Sequence, residues 1–123
     1  MTKIIVDTAN EREIRIYLDS RSCAELDRAD YLADDENIQT HLECPVYWFA
    51  RIKARVEGQG DGTLLMKRVC DHADHLKATI VNCINPYGRM NLEQLIQWFS
   101  KFGFDYVGNE TVVRKPKSLS LKE

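Results

Sequence analysis

Three glycines, Gly58, Gly60 and Gly62, fall within the run Glu57-Gly58-Gln59-Gly60-Asp61-Gly62-Thr63. Glycine lets a backbone turn sharply and approach a ligand closely. If a helix follows, its first N–H groups are unpaired and carry the positive end of the helix dipole. Such a loop suits a phosphate or pyrophosphate, and it equally suits an ordinary strand-to-helix turn. A P-loop is excluded, because no Lys-Ser/Thr follows the last glycine. A dinucleotide fingerprint fits poorly, because Leu65 stands where its third glycine belongs. A second cluster, Cys70-Asp71-His72-Ala73-Asp74-His75, holds one thiol, two imidazoles and two carboxylates. On a helix, Cys70 with Asp74 and Asp71 with His75 are i, i+4 pairs. A Zn²⁺ site needs three or four convergent ligands, so others would have to come from elsewhere. The plainer expectation is the solvated face of a helix with Cys70 at its edge, and no metal.

These groups need elements to hold them. Val46 to Val56 is rich in aromatic and branched residues. Its later half alternates Ala50, Ile52, Ala54 and Val56 against Arg51, Lys53 and Arg55, which predicts a strand with one buried face. Thr63 to Leu76 places Leu65, Val69, Ala73 and Leu76 on one helical face. Thr79 to Ile84 reads as a compact strand ended by Pro86-Tyr87-Gly88. Asn91 caps a helix with Gln94 three residues on; Leu92, Leu95, Ile96, Phe99 and Phe102 form its stripe, and Gly103 its stop. Phe104 to Val107 and Thr111 to Arg114 read as a hairpin around Gly108-Asn109. Before Val46, Lys3 to Asp7 and Glu13 to Asp19 read as strands joined by a turn. Ser22 with Glu25 resembles a capping box and predicts a short helix over Ser22 to Ala33. The expected fold is a single α/β (α+β) domain over residues 1–123, with a frayed tail over 115–123. Trp48 and Trp98 are expected in the core or at an interface.

Gln59-Gly60-Asp61-Gly62-Thr63-Leu64-Leu65-Met66 resembles the acetyl-CoA loop of the GNAT acyltransferases, whose pattern runs Q/K-G-x-G-S/T-x-L-L. Leu95 to Phe104 is similar to that family's late helix, which ends in Lys-apolar-Gly-Phe. The element order between the two motifs matches as well, and the resemblance covers roughly residues 46–115. It implies a mixed, mostly antiparallel central sheet with flanking helices and a truncated N-terminal half, since only residues 1–45 precede the loop strand. It implies acetyl-CoA as cofactor. The backbone of Gly58, Gln59, Gly60, Asp61, Gly62 and Thr63 would cradle the pyrophosphate, and Ile52, Lys53 and Ala54 would pair with the pantetheine arm. A second register sets Arg55 to Gly60 on the alternative pattern Q/R-x-x-G-x-G/A.

Acetyl transfer to an amine needs a base for the ammonium and an acid for the leaving thiolate. The family often places a Tyr acid on the late helix, five residues before the Phe of Gly-Phe; here that position is Phe99. Tyr87, Tyr106 and Glu57 remain as candidates, with Glu43 the other acid flanking the loop strand and a Cys or water as substitutes. The resemblance thus leaves two functions open. One is acetyl transfer to an amine of a small molecule or protein. The other is a non-catalytic protein on this fold that binds CoA or another protein in a regulatory or inhibitory role.

The composition limits the partners. The 123 residues carry 17 Lys+Arg against 19 Asp+Glu, a net charge of -2, with no basic stripe for nucleic acid. No apolar run approaches the roughly 20 residues of a membrane span. The N-terminus meets Asp7 after three apolar residues, and none of the four cysteines forms a C-x-x-C pair. The expectation is a cytoplasmic protein with reduced thiols. A homodimer through the closing hairpin and the aromatic strand is one expected assembly.

Overall fold

The strand Glu13–Leu18 (β2) buries Ile14, Ile16 and Leu18 and turns Glu13, Arg15 and Tyr17 the other way. That alternation is what a sheet with one covered face demands. A computed structural model describes residues 4–36, 38, 41–53, 60–84 and 90–117. Around β2 it builds a seven-stranded sheet. Ile4–Ala9 (β1) lies at one edge, and Cys23–Arg28 (β3) is on the other side of β2. Val46–Lys53 (β4), Thr79–Cys83 (β5), Thr111–Arg114 (β7) and Asp105–Gly108 (β6) complete the order β1-β2-β3-β4-β5-β7-β6. Every neighbouring pair is antiparallel except β4 with β5. The fold is α+β, with a mostly antiparallel sheet.

Helix Asp61–Leu76 (α1) connects β4 to β5 and lies over β2, β3 and β4. It buries Leu65, Met66, Val69 and Ala73 against Ile14, Ile16, Leu26 and Tyr47. Helix Leu92–Ser100 (α2) adds Phe99 to the same core. Asn91 and Gln94 form the expected capping box, side chain to backbone in both directions at 2.8 and 2.9 Å. The opposite face of the sheet differs along its width. Behind β2 and β3 it is polar, with Arg15 paired to Asp27 and Tyr17 to Glu25. Behind β4, β5 and β7 a second core forms from Val46, Val81 and Val113, covered by a 3₁₀ helix over Asp30–Asp34 with Leu32, Ala33, Ile38 and Leu42.

Three expectations need correction. Ser22 to Ala33 is not an α-helix: it is β3 followed by the 3₁₀ helix. Ala24 and Leu26 face the main core while Glu25 pairs across strands with Arg15 and Arg51. A ladder on both sides outweighs a local capping pattern. The Ser22 hydroxyl donates to Asp61. Ala50 is exposed rather than buried. The register steps from Glu25↔Arg51 to Leu26↔Phe49, so Ala50 is the extra residue of a β-bulge that flips the alternation of β4. The tail is held as far as Lys117, whose N–H donates to Asp74.

That contact belongs to a buried ion pair. The Arg114 guanidinium, 3% exposed, makes two hydrogen bonds to the 13% exposed Asp74 carboxylate, at 2.8 and 3.1 Å. Burial raises the Asp74 pKa, but the Arg114 bonds and the Lys117 N–H outweigh it and leave the carboxyl below its ordinary value. The pair joins α1 to β7. Asp74→Ala strands a buried guanidinium and should cost about 3–5 kcal/mol in urea unfolding. In the intact protein the depressed pKa gives stability that is present above the unfolded carboxylate value of about 3.9 and lost as pH falls through the folded one. Asp74→Asn should therefore flatten the acid limb of stability below about pH 4, and an unchanged limb would contradict this role.

Candidate functional site

β4 and β5 run together for only three pairs, Val46↔Thr79, Tyr47↔Ile80 and Trp48↔Val81. Past Trp48 each strand follows its outer neighbour. β4 stays on β3 as far as Cys23↔Lys53, and β5 stays on β7 as far as Cys83↔Thr111. The β5-facing backbone of Phe49–Lys53 then has no strand partner among the described residues. A cleft of about 510 Å³ opens there. Ala50, Arg51 and Ile52 form one wall, Asn82 and Cys83 the other, and Leu95 and Phe99 of α2 contribute to its apolar lining. The bulge at Ala50 lies on this wall; bulges bend and twist a strand, and they recur beside functional sites.

The first turn of α1 reaches the cleft wall through Trp98 and Phe99. Its cap, Gly60, has φ +80°, a left-handed conformation that suits glycine. The intrahelical ladder begins with Leu64 N–H to Gly60 O, so the N–H groups of Asp61, Gly62 and Thr63 have no partner within the helix. A Cβ at Gly62 would stand 3.8 Å from the Trp98 ring. Trp98 in turn stacks edge-on against Phe99, with centroids 5.1 Å apart. A chain of contacts therefore runs from the first turn of α1 through Trp98 to the cleft wall.

Asp61 has two jobs that the sequence does not separate. Its backbone belongs to that first turn, but its carboxylate is buried and accepts hydrogen bonds from Ser20 and Ser22, each at 2.6 Å. These bonds pin the start of α1 to the turn between β2 and β3. Ser20 and Ser22 were invisible as site-supporting residues, because Ser22 reads locally as a cap.

Of the other predicted site residues, Ile52 lines the cleft and is half-buried, and Lys53 follows it, exposed, at the end of β4. Gly60, Gly62 and Thr63 sit at the start of α1. Tyr106 stands at the far sheet edge on β6, where its phenol oxygen accepts from the Glu110 N–H. Glu43 is exposed and bonded to His41. Ala54, Glu57, Gly58, Gln59 and Tyr87 lie outside the described residues. Phe99, in the position of the family's Tyr, does line the cleft. Asn82, Cys83 and Leu95 are cleft residues that sequence reasoning missed.

The run Cys70 to His75 is not simply a solvated face. His72 pairs with Asp7 of β1, Asp74 with Arg114, and His75 Nδ1 with the Asp71 carbonyl. The Cys70 Sγ lies 3.8 Å from the Phe102 carbonyl, and burial pushes its pKa up to about 11. Among the described residues, no group of three or more His, Cys, Asp or Glu converges as a metal site.

No family model matches the chain, and no curated protein matches it. Among solved structures, the crystal structure of the anti-CRISPR protein AcrVA5 is similar, with a TM-score of 0.50 at 15% identity. The match covers 91% of this chain and 96% of that one, and at this identity it speaks for the fold alone. No helix among the described residues is long and apolar enough to cross a membrane.

The thiols give a check on this geometry. Cys44 and Cys83 are exposed, whereas Cys23 and Cys70 are buried. Iodoacetamide on the native protein should modify Cys83 at least about tenfold faster than Cys70, by peptide mass mapping, and unfolding should remove the difference. Equal rates in the native state would place Cys83 away from an open cleft.

Proposed function

We propose that the protein is an N-acetyltransferase that binds acetyl-CoA in the cleft between β4 and β5 and transfers the acetyl group to an amine. The observation that carries this reading is the early parting of the one parallel strand pair, whose connecting helix reaches the cleft wall through Trp98 and Phe99. Ligands of such strand–helix–strand units bind beyond the carboxyl ends of the strands. An elongated amide-bearing arm can add to the unpaired edge of β4, with its apolar parts on Leu95 and Phe99. Its pyrophosphate would meet the first turn of α1, at the N–H groups of Gly62 and Thr63. The glycine loop and the Lys-apolar-Gly-Phe helix of the sequence support the same ligand.

Acetyl-CoA supplies an acyl group already activated as a thioester. The protein's part is to position it, exclude water and move protons. The amine nitrogen forms the new C–N bond and gives up a proton to water, the C–S bond breaks, and the leaving sulfur takes up a proton. Phe99 has none to give. Cys83 and Arg51 are the titratable side chains among the described residues lining the cleft. Of these the Cys83 thiol suits the acid role, because a guanidinium scarcely deprotonates.

A second reading is a non-catalytic, inhibitory protein on this fold that binds CoA or another protein. Phe99 in place of a proton-donating Tyr favours it, and a protein of similar fold is titled an anti-CRISPR protein.

Calorimetric titration with acetyl-CoA tests the cleft. Thr63→Glu puts an acid in the first turn of α1, where it favours the helix but repels phosphate, so it should keep the Tm and weaken binding about tenfold or more. Cys83→Ala should leave binding nearly intact and lower turnover of an amine panel by about 10²-fold. No binding by the unaltered protein would overturn the enzyme reading. Binding without turnover would favour the non-catalytic one.

A further inference from the structure

β5 breaks its own pattern at one position. The row that runs along it and just past its end is Ile80, Asn82, Ile84, and the two isoleucines are 0% and 2% exposed in the main core. Across the ladder Asn82 stands opposite Val112, which is buried in the same core. Opposed residues of an antiparallel pair share a face, so Asn82 lies on the side of the sheet that α1 and α2 cover. A carboxamide therefore interrupts a row of aliphatic side chains. It is half-buried on the wall of the cleft, whose lining also includes Phe49, Ile52, Leu95 and Phe99. The Asn82 side chain makes no hydrogen bond with any described residue. Burial of an amide costs free energy unless its donors and acceptor find partners, and a valine or leucine would continue the row without that cost.

We infer that the Asn82 carboxamide orients the amide-bearing arm of the ligand from the wall opposite β4. A trans amide holds its N–H and its C=O on opposite sides. When one of the two pairs with the open edge of β4, the other points across the cleft. Of the β5-side residues in the lining, Asn82, Cys83 and Ile84, Asn82 has the side chain with both a strong donor and an acceptor, so it can meet either half. The apolar lining supplies contact area, and a single placed polar group fixes which way the arm lies. Asn82 thereby selects an acyl carrier with a secondary amide over a plain alkyl thioester. That the carrier is acetyl-CoA rests on the acetyltransferase reading; the amide contact does not depend on it.

The test follows the Asn82 side-chain NH₂ pair by NMR in the full chain labelled with ¹⁵N, assigned by its loss in Asn82→Leu. Acetyl-CoA should shift that pair. Two small thioesters isolate the contact: S-acetyl-N-acetylcysteamine, which carries one secondary amide, and S-pentyl thioacetate, its amide-free counterpart. Their affinities are read from the backbone amide of Ile52 in both proteins. The preference for the amide thioester over the alkyl one should fall about tenfold in Asn82→Leu, whose Tm should be unchanged or higher. Calorimetry should show acetyl-CoA binding weakened about tenfold by the same change. An unmoved NH₂ pair with acetyl-CoA bound, or an unchanged preference whatever the Tm, would overturn the role of Asn82 and leave the acetyl-CoA reading standing. Silent acetyl-CoA calorimetry with an NH₂ pair moved by the amide thioester would remove acetyl-CoA and keep the contact. Silence from both ligands would overturn both.

Discussion

Everything proposed for this protein depends on two strands being unable to stay together. β4 and β5 are parallel neighbours for three residue pairs, after which each is held by its antiparallel partner on the outside. Antiparallel pairing is slightly more stable per residue, so the outer ladders win once the strands begin to diverge. Among the described residues, the parted strands leave backbone without a strand partner and a void between them. An unpaired strand edge flanked by apolar side chains suits an extended ligand, and here the first turn of α1 is linked to the cleft wall through Trp98 and Phe99.

The rest of the chain keeps that gap in place. Asp61 fastens α1 to the β2–β3 turn through Ser20 and Ser22. Asp74 fastens the other end of α1 to β7 through Arg114. Between them, Asp7 holds β1 to α1 through Arg68 and His72; burial raises its pKa, and the bonds from those two partners bring it below the ordinary value. The helix is thus tied by carboxylates along its length, while Trp98 packs edge to face with Phe102 and with Phe99, which lines the cleft. A rigid first turn matters because an anion site works only if its N–H groups are already aimed.

How much of this was legible depended on whether a signal was local. α1 and α2 were readable from apolar spacing, and the Asn91–Gln94 cap from two residues. The glycine loop was readable as a strand-to-helix joint because glycine has few other reasons to cluster. β3 was misread, since Ser22 and Glu25 mimic a cap and only its two flanking strands reveal the strand. The bulge at Ala50 was hidden for a related reason: alternation in β4 looks regular in sequence, and the extra residue appears only against the register of β3. The cleft wall of Asn82 and Cys83, and the ion pairs of His72 and Asp74, join residues far apart in the chain and have no local signature. The apparent metal cluster illustrates this well, because His72 answers to β1, Asp74 to β7 and Cys70 to the Phe102 carbonyl.

Amide hydrogen exchange with and without acetyl-CoA tests the central claim most directly. The parted β4 edge predicts that the ligand slows exchange in Arg51, Ile52 and Lys53 and in the Asp61–Thr63 turn, leaving the amides of β1 and β6 unchanged. Protection confined to other strands, or none at saturating acetyl-CoA, would contradict the claim that this gap is the ligand site.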